Sequence, residues 1–243
     1  MSDTETAAAV IPAATTKRPR DVRGFWRVLL AVIAPLPMLA EGIYYLFVPV
    51  GGDVTFQETV TAFAAHKELM GVMTWFGAVF VVGLIPATFA VAWVARRGAP
   101  RLTTWGAAIA LLGFMTGFPL LGGPINVPYM TVQHGLDITS MTKLDDALHT
   151  EPLLGIASLL FIVGIVFGLG LLGIALWRSR IVPAWMGIAL GVGCFTHPFI
   201  PNHIGQGIGL LIAAVGFSGA SVVLLRMRND SFDLPATGPT PTA

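Results

Sequence analysis

One carboxylate lies inside a long apolar stretch of the chain. Glu41 follows Phe25 by 16 residues within the apolar run from Phe25 to Val50. On a continuous helix it would therefore lie roughly 24 Å from the start of that run. A charge at such depth in a bilayer costs about 2.5 kcal/mol or more, so the side chain should face other helices and be either paired or protonated. A protonated carboxyl is a group that can act as a general acid, although Glu41 could instead have a structural role, hydrogen-bonded to a neighbouring helix.

Four aromatic residues could form a pocket around this carboxyl. Tyr44 and Tyr45 follow Glu41 by about one helical turn, and Phe114 and Phe118 lie one turn apart in a later apolar run. Aromatic faces stabilise positive charge, and an apolar pocket with few polar groups suits reactions that pass through cations. We therefore predict Glu41 as a proton donor and the four aromatic residues as the lining of a site for a lipophilic molecule.

Two His-x-Glu pairs precede long apolar runs, His66 with Glu68 and His149 with Glu151. We predict Glu68 and Glu151 as further candidate catalytic carboxylates. Two histidines and two glutamates that converge could also hold zinc, manganese or iron. However, residues two apart do not share a helix face, and Thr150 as N-cap, with the acid and a proline after it, would be an ordinary helix start. The sequence assigns no metal and no cofactor to the chain.

The elements that position these residues must be membrane-spanning helices. The 243 residues are 55% hydrophobic and 11% charged, with a mean hydropathy of +0.77, whereas soluble domains are about 25% charged. The predicted fold class is all-α, a polytopic membrane helix bundle of about six transmembrane helices within residues 25–228. Residues 1–24 and 229–243 are predicted to be disordered tails. The predicted helices are Phe25–Val50, Glu68–Ala95, Leu102–Leu121, Pro152–Trp177, Pro183–Phe199 and Ile204–Leu225, separated by polar segments at 51–67 and 122–150.

Two of these helical hairpins have a similar sequence pattern. The segments from His66 to Gly106 and from His149 to Gly187 each contain a His-x-Glu pair, an apolar span, a tryptophan beside basic residues, a proline turn and a Trp. We interpret this as a parallel repeat of one hairpin in the same orientation. Two unrelated hairpins that follow the same rules of membrane insertion would give a similar pattern.

The charges predict the orientation. Of the 14 basic residues, 12 fall in the tails and in the junctions after the second and fourth helices, and only Lys67 and Lys143 lie opposite. By the positive-inside rule, this is a multi-pass protein of the cell membrane with both termini cytoplasmic. The five histidines and seven carboxylates fall at the outer face: His66, His134, His149, His197, His203, Asp53, Glu58, Glu68, Asp137, Asp145, Asp146 and Glu151.

Familiar soluble-enzyme motifs do not occur in the sequence. There is no Walker motif, G-x-G-x-x-G, G-x-S-x-G or H-E-x-x-H, so nucleotide hydrolysis, dinucleotide binding and the common hydrolase classes have no support. Four G-x-x-x-G pairs instead predict closely packed helices, beginning at Gly113, Gly164, Gly187 and Gly205.

Two resemblances extend this interpretation. The segment LGIALWRSR from Leu172 to Arg180, with Pro183 and Trp185, resembles small actinobacterial polytopic membrane proteins that have no assigned activity. In size and helix count the chain is similar to integral-membrane terpene cyclases, which are thought to protonate an alkene or epoxide with membrane-embedded acids. That resemblance implies an isomerase of terpenoid biosynthesis that cyclises an isoprenoid-like substrate.

The alternative is a non-enzymatic protein, such as a small transporter, an immunity factor or an assembly partner. In that case Glu41 and the histidines would handle protons or ions. Under either interpretation the expected partners are membrane lipids and, for the enzyme, a lipophilic small molecule, with no nucleic acid. The sequence does not predict an oligomeric state.

Overall fold

A computed structural model describes residues 21–51, 54–123 and 126–233, and the regular elements within these ranges are all helices. Residues 1–20, Asp53 and 234–243 lie outside the described residues, so the interpretations placed on them stay predictions. The α-helices are, in chain order, α1 (Arg23–Ile33), α2 (Leu36–Phe47), α3 (Phe56–Ala65), α4 (Lys67–Ala95), α5 (Pro100–Met115), α6 (Gly117–Gly122), α7 (Val127–His134), α8 (Ile138–Thr150), α9 (Pro152–Val163), α10 (Gly170–Ser179), α11 (Ala184–Thr196) and α12 (His203–Arg226).

The all-helical bundle is confirmed, but within the described residues five helical segments, and not the predicted six, are long and apolar enough to cross a membrane. They are Arg23–Phe47, Lys67–Ala95, Pro100–Leu121, Pro152–Ser179 and His203–Arg226. The predicted fifth helix is shorter than expected, since α11 has 13 residues. At 1.5 Å per residue it extends about 20 Å, less than the hydrocarbon core of about 30 Å.

The first span is broken where the sequence places its prolines. Helix α1 ends at Ile33 and α2 begins at Leu36, with Pro35 between them. Proline has no amide hydrogen and its ring clashes with the preceding turn, so it interrupts the helix. Beyond the break, Gly42 of α2 packs against α12, where a Cβ on Gly42 would come 3.2 Å from the carbonyl oxygen of Gly207. This close approach fixes the position of Glu41, the preceding residue.

The fourth span contains a π-helical segment, Gly164–Leu169, between α9 and α10. This segment packs on α5 with backbones almost in contact. A Cβ on Gly113 would come 2.7 Å from the Cα of Gly164, and one on Gly168 would come 2.6 Å from the Cα of Ala110. The G-x-x-x-G pairs that begin at Gly113 and Gly164 therefore serve helix packing, as predicted.

Three helices occupy the segments that the sequence analysis treated only as polar interruptions. We call α3, α7 and α8 the cap helices, because they pack on one another while α7 contacts α4 and α8 contacts α9. Local capping explains two of them. Thr55 and Glu58 form a reciprocal capping box at the start of α3, and the Asp137 carboxylate accepts from the backbone N–H of Ser140 at the start of α8.

The predicted N-cap at Thr150 is wrong. Thr150 is the last residue of α8, and its hydroxyl donates to the carbonyl oxygens of Asp146 and Ala147. Glu151 is the N-cap of α9, with Pro152 at the first helical position, and it makes no side-chain capping bond. Thr150 is still helical, and the extended backbone of Glu151 puts that residue at the N-cap position of α9 instead.

The arginines gather at the end of the bundle opposite the cap helices. Arg27 Nη1 donates to the carbonyl oxygen of Leu225 at 3.4 Å, and Arg97 Nη2 donates to the carbonyl oxygen of Ser231. Arg96 lies over the ring of Trp93, 3.6 Å from its centroid. We call this the arginine end of the bundle.

The helical region extends a few residues beyond the predicted boundaries of both tails. The first helix begins at Arg23, within the tail predicted for 1–24, and residues 229–233 are not disordered. After a short 3-10 turn, the Phe232 ring is buried and stacks on Trp93 with centroids 4.9 Å apart, while Trp93 Nε1 donates to the Phe232 carbonyl oxygen at 2.8 Å. Burial of this ring, which a count of polar residues does not detect, holds the segment on the bundle.

The two predicted hairpin repeats differ in length. Helices α4 and α5 pack together, as do α10 and α11. The second arm of the first hairpin belongs to a 22-residue span, whereas α11 has 13 residues. The duplication itself stays a prediction.

Candidate functional site

A cavity of about 670 Å³ lies between the bundle and the cap helices. Its walls come from α2, α4, α6 and α9, and the cap helices contribute Phe63, Tyr129, Leu148 and His149. Most of the lining is apolar. The other polar and tyrosine side chains around the wall are Glu41, Tyr44, Tyr45, Thr74, Asn126, Ser158 and His197.

Among the described residues, Glu41 is the one carboxylate on the wall of this cavity. Its side chain is buried and its Oε2 atom has no hydrogen-bond partner in the described chain. No ion pair to a cationic side chain is found for it among the described residues. An unpaired buried carboxylate is very costly, so the neutral carboxylic acid is the form that is least costly to bury.

The half-buried His197 is a second polar group on the same cavity. It follows α11 directly, and its Nδ1 atom is buried without a partner among the residues described. Tyr45 holds the ring in place through an edge-to-face contact with centroids 5.1 Å apart, and Tyr45 makes a similar contact with His203 at 5.3 Å. An unsatisfied buried polar group costs about 1–3 kcal/mol, so Glu41 and His197 together favour a ligand that can hydrogen-bond at this point.

The structure brings together only part of the predicted aromatic lining. Tyr44 and Tyr45 line the cavity beside Glu41, with their ring centroids 5.6 Å apart. Phe114 and Phe118 do not line it. Phe114 is fully buried behind the wall, 5.8 Å from the ring of Phe161, and Phe118 is 44% exposed. Phe114 fills the contact between α5 and the fourth span, where Gly164 leaves room for its ring.

Glu68 and Glu151 do not reach the cavity either. Both are exposed, and neither is part of the wall. On α4 the cavity side is marked by Met70, and Glu68 lies two positions earlier, on a different helix face. Their proposed part in catalysis therefore has no geometric support. Within the described ranges, no group of three or more His, Cys, Asp or Glu side chains is placed to hold a metal, so the two His-x-Glu pairs do not converge.

The cap helices contribute residues that the sequence analysis did not place beside Glu41. His149 lines the cavity, and its Nδ1 atom lies 2.8 Å from the carbonyl oxygen of Asp145 and 3.4 Å from the carboxylate of the same residue. Burial raises the pKa of Asp145, and the nearby His149 opposes this shift. Asn126, the N-cap of α7, and Tyr129 line the same side. The Pro at the start of α7 is the sequence signal that could have placed them on a helix.

Ionised caps support these helices. The backbone N–H and hydroxyl of Thr55 donate to Glu58 Oε2 at 2.8 Å each, which lowers the pKa of Glu58. Hydrogen bonds from Ser140 lower the pKa of Asp137 in the same way at the start of α8. Both carboxylates therefore remain ionised near neutral pH, where they satisfy the first turns of α3 and α8.

The cavity is closed toward the arginine end. Phe80 and Val81 line it, and one turn further along α4 the side chain of Leu84 is completely buried in the main core. That core continues through Ala87 and Val91 against residues of α10 and α12. The cavity is thus a pocket in the capped half of the bundle.

Comparison of the chain with models of protein families, with curated proteins and with solved structures gives no match. The function is therefore argued from the chemistry of the cavity. Its elements are the buried carboxyl of Glu41, the half-buried imidazole of His197 with an unpartnered Nδ1 atom, apolar and aromatic walls, and a helical cap.

Proposed function

We propose that this protein is a membrane-embedded enzyme that binds a lipophilic, isoprenoid-like molecule and starts its cyclisation or isomerisation by proton transfer from Glu41. The observation that carries the proposal is the Oε2 atom of Glu41, which is buried without a partner among the described residues, at the wall of a mostly apolar cavity. A carboxylic acid held in this way has a proton to give and no competing acceptor in the described protein.

The size and walls of the cavity fit such a substrate. Its volume of about 670 Å³ lies within the range of roughly 300–1,000 Å³ that is typical of small-molecule sites. Aromatic rings surround it from five helices, with Tyr44, Tyr45, Phe63, Phe80, Tyr129 and Phe161 on the wall. Their faces can stabilise a carbocation, which an aqueous site would quench.

The proposed reaction needs no other reactant. Glu41 donates its proton to a substrate alkene or epoxide, and the resulting carbocation rearranges or closes a ring against the aromatic walls. Loss of a proton from the cation to the Glu41 carboxylate or to His197 then forms a new alkene. The overall conversion is an isomerisation, and the proton returns to the protein.

A transporter is the alternative function for a buried carboxyl in a membrane bundle. It requires a path from the cavity to the opposite end. The fully buried core of Leu84, Ala87 and Val91 occupies that region, which supports the closed pocket of an enzyme.

We further propose that the protein resides in the cell membrane with the cap helices outside and both termini in the cytoplasm. Five spans of sufficient length and apolarity support membrane insertion. The separation of the arginine end from the cap helices supports this orientation, because basic residues are retained on the cytoplasmic side.

The test is Glu41→Gln, assayed with prenyl alcohols and their terminal epoxides of farnesyl and geranylgeranyl length in D₂O. The wild-type protein should form cyclised or isomerised product that carries solvent deuterium. The amide keeps the shape of the side chain but has no transferable proton, so turnover per folded protein should fall on the order of 100-fold or more.

Glu68→Gln is the matched control, because it makes the same chemical change at an exposed glutamate of α4. It should keep wild-type turnover. Full activity in Glu41→Gln would contradict the role of Glu41, and absence of product from the wild-type protein with every substrate would contradict the proposed reaction.

A further inference from the structure

A second concave site lies at the arginine end, between α11 and α12. It has a volume of about 710 Å³ and lies on the opposite side of the core from the Glu41 cavity. One wall is apolar, formed by Pro183 and Met186 at the start of α11 and by Gly219, Val222 and Val223 near the end of α12. We call this site the α11–α12 groove.

Three arginines border the groove: Arg97, Arg226 and Arg228. None of the carboxylates in the described part of the chain lies within 4.0 Å of the guanidinium of Arg97 or Arg226. Arg228 pairs only with Asp230, at 3.6 Å, and both side chains are largely exposed to solvent. Such an exposed pair is weak, so the groove keeps a strong positive charge.

Arg97 gives the groove a fixed basic inner end. Its Nη2 atom donates to the carbonyl oxygens of Ser231 and Phe232, while its Nε atom is buried without a partner in the described structure. The peptide carbonyls orient the guanidinium but do not neutralise its charge. A ligand in the groove therefore meets one arginine oriented by hydrogen bonds and two exposed arginines.

We infer that the α11–α12 groove binds an anionic phospholipid, with the phosphate at the arginines and an acyl chain along the apolar wall. The phosphate of this ligand matches the arginine side of the groove, and the acyl chain matches its apolar wall. Guanidinium groups bind phosphate oxygens, and basic pockets between membrane helices on the cytoplasmic side favour anionic headgroups. Val222 is part of the apolar wall and is 40% exposed. A small anion bound at the arginines would leave this side chain uncovered, whereas an acyl chain would cover it.

This inference rests on the proposed membrane insertion and not on the proposed chemistry at Glu41. The test uses the full-length protein in detergent, incubated with equal amounts of phosphatidylglycerol and phosphatidylcholine and then examined by native mass spectrometry. We expect the wild-type protein to retain phosphatidylglycerol in preference, by on the order of tenfold.

The decisive variant is the double substitution Arg226→Gln and Arg228→Gln. It should bring the roughly tenfold preference for phosphatidylglycerol close to unity, because it removes two of the three guanidinium groups that border the groove. The matched control is Arg178→Gln with Arg180→Gln, which removes the same charge from the arginine end at residues that do not line the groove. It should retain the wild-type preference.

A further variant separates a lipid from a free anion. Val222→Trp leaves every arginine in place but fills the apolar wall, so it should lower phospholipid retention, and millimolar inorganic phosphate should not displace the lipid from the wild-type protein. The inference is overturned by equal loss in the two arginine double variants, by equal retention of the two lipids, or by displacement with inorganic phosphate. If the double variant proves unstable, unchanged lipid retention in Val222→Trp overturns it independently.

Discussion

Single residues keep the Glu41 cavity open, most clearly at Gly77 of α4 and Gly155 of α9. Both line the cavity, and a Cβ built on either would meet no atom within 4 Å. Most other glycines of the bundle lie against a neighbouring backbone, as Gly42 does against Gly207. The absence of a side chain at these two positions therefore contributes to the volume of the site and not to helix packing.

Gly77→Leu should fill part of the cavity without loss of stability. Leucine favours a helix over glycine by up to about 1 kcal/mol, and its first atom enters open space. Turnover of the prenyl substrates should fall about tenfold or more, while the melting temperature stays equal or rises. Gly170→Leu is the control, since Gly170 also has open space around its Cα but does not line the cavity. Equal activity of the two variants would show that the cavity does not hold the substrate.

The sequence indicated Glu41 as a candidate because a carboxylate within an apolar run has a large insertion cost, so that a functional role is the first hypothesis for it. Tyr44 and Tyr45 followed from helical spacing. Glu68 and Glu151 have no such constraint, since they stand at the ends of runs where water satisfies them, and the structure leaves both exposed. His149 and Tyr129 reach the cavity from the cap helices, and their contribution depends on tertiary contacts that residue spacing does not contain.

At the scale of helices and segments, the π-helical segment allows the fourth span to pack closely on α5. Gly164 and Gly168 face Gly113 and Ala110 across this contact. Thr116, the residue after α5, reinforces it by donating through its hydroxyl to the carbonyl oxygen of Ala157 at 2.8 Å. The contact fixes α9, and α9 carries one wall of the Glu41 cavity.

Gly168→Ala should destabilise the protein although alanine is the better helix former. Its Cβ would lie 2.7 Å from the Cβ of Ala110, and such overpacking typically costs about 1–3 kcal/mol. Gly170→Ala, two residues later, meets no atom within 4 Å and should gain up to about 1 kcal/mol from helix propensity. Thermal unfolding of both variants in the same detergent tests this difference. A Gly168→Ala protein as stable as Gly170→Ala would mean that the two backbones are not in close contact.

The cap helices lie in segments whose polarity alone does not indicate helices. Their segments are polar enough to suggest loops, but Thr55 with Glu58 is a capping box and Asp137 is a good N-cap. The sequence analysis did not predict α3 and α8, although these local signals mark where the two helices start. The π-helical turn, by contrast, has no signature in residue types, because it depends on how α5 packs against Gly164.

At the scale of the whole molecule, the succession of apolar runs was enough to predict the bundle. Five of the six predicted apolar runs correspond to the five spans of the described residues, and the break in the first span lies at Pro35. The length of α11 was not predictable from hydropathy, because the apolar run continues past Thr196 while the helix does not. The distribution of basic residues along the chain predicted that the arginines lie at the end of the bundle opposite the polar segments 51–67 and 122–150.

The orientation of the molecule is the prediction on which both proposed sites depend. Ser140 lies on α8 of the cap and Ala99 in the connection between α4 and α5 at the arginine end. Cys194 is completely buried, and its replacement by Ala gives a background without native thiols. In intact cells, a membrane-impermeant thiol reagent should label Ser140→Cys and spare Ala99→Cys, because 12 of 14 basic residues favour a cytoplasmic arginine end.

Permeabilised cells provide the control for this experiment, since Ala99→Cys should then react and prove that its thiol is accessible. Labelling of Ala99→Cys alone in intact cells would show that the orientation is the reverse of the predicted one. The Glu41 cavity would then lie in the cytoplasmic half of the membrane, and the α11–α12 groove would lie in the outer leaflet. Its arginines would then lose the anionic inner leaflet as a source of ligand.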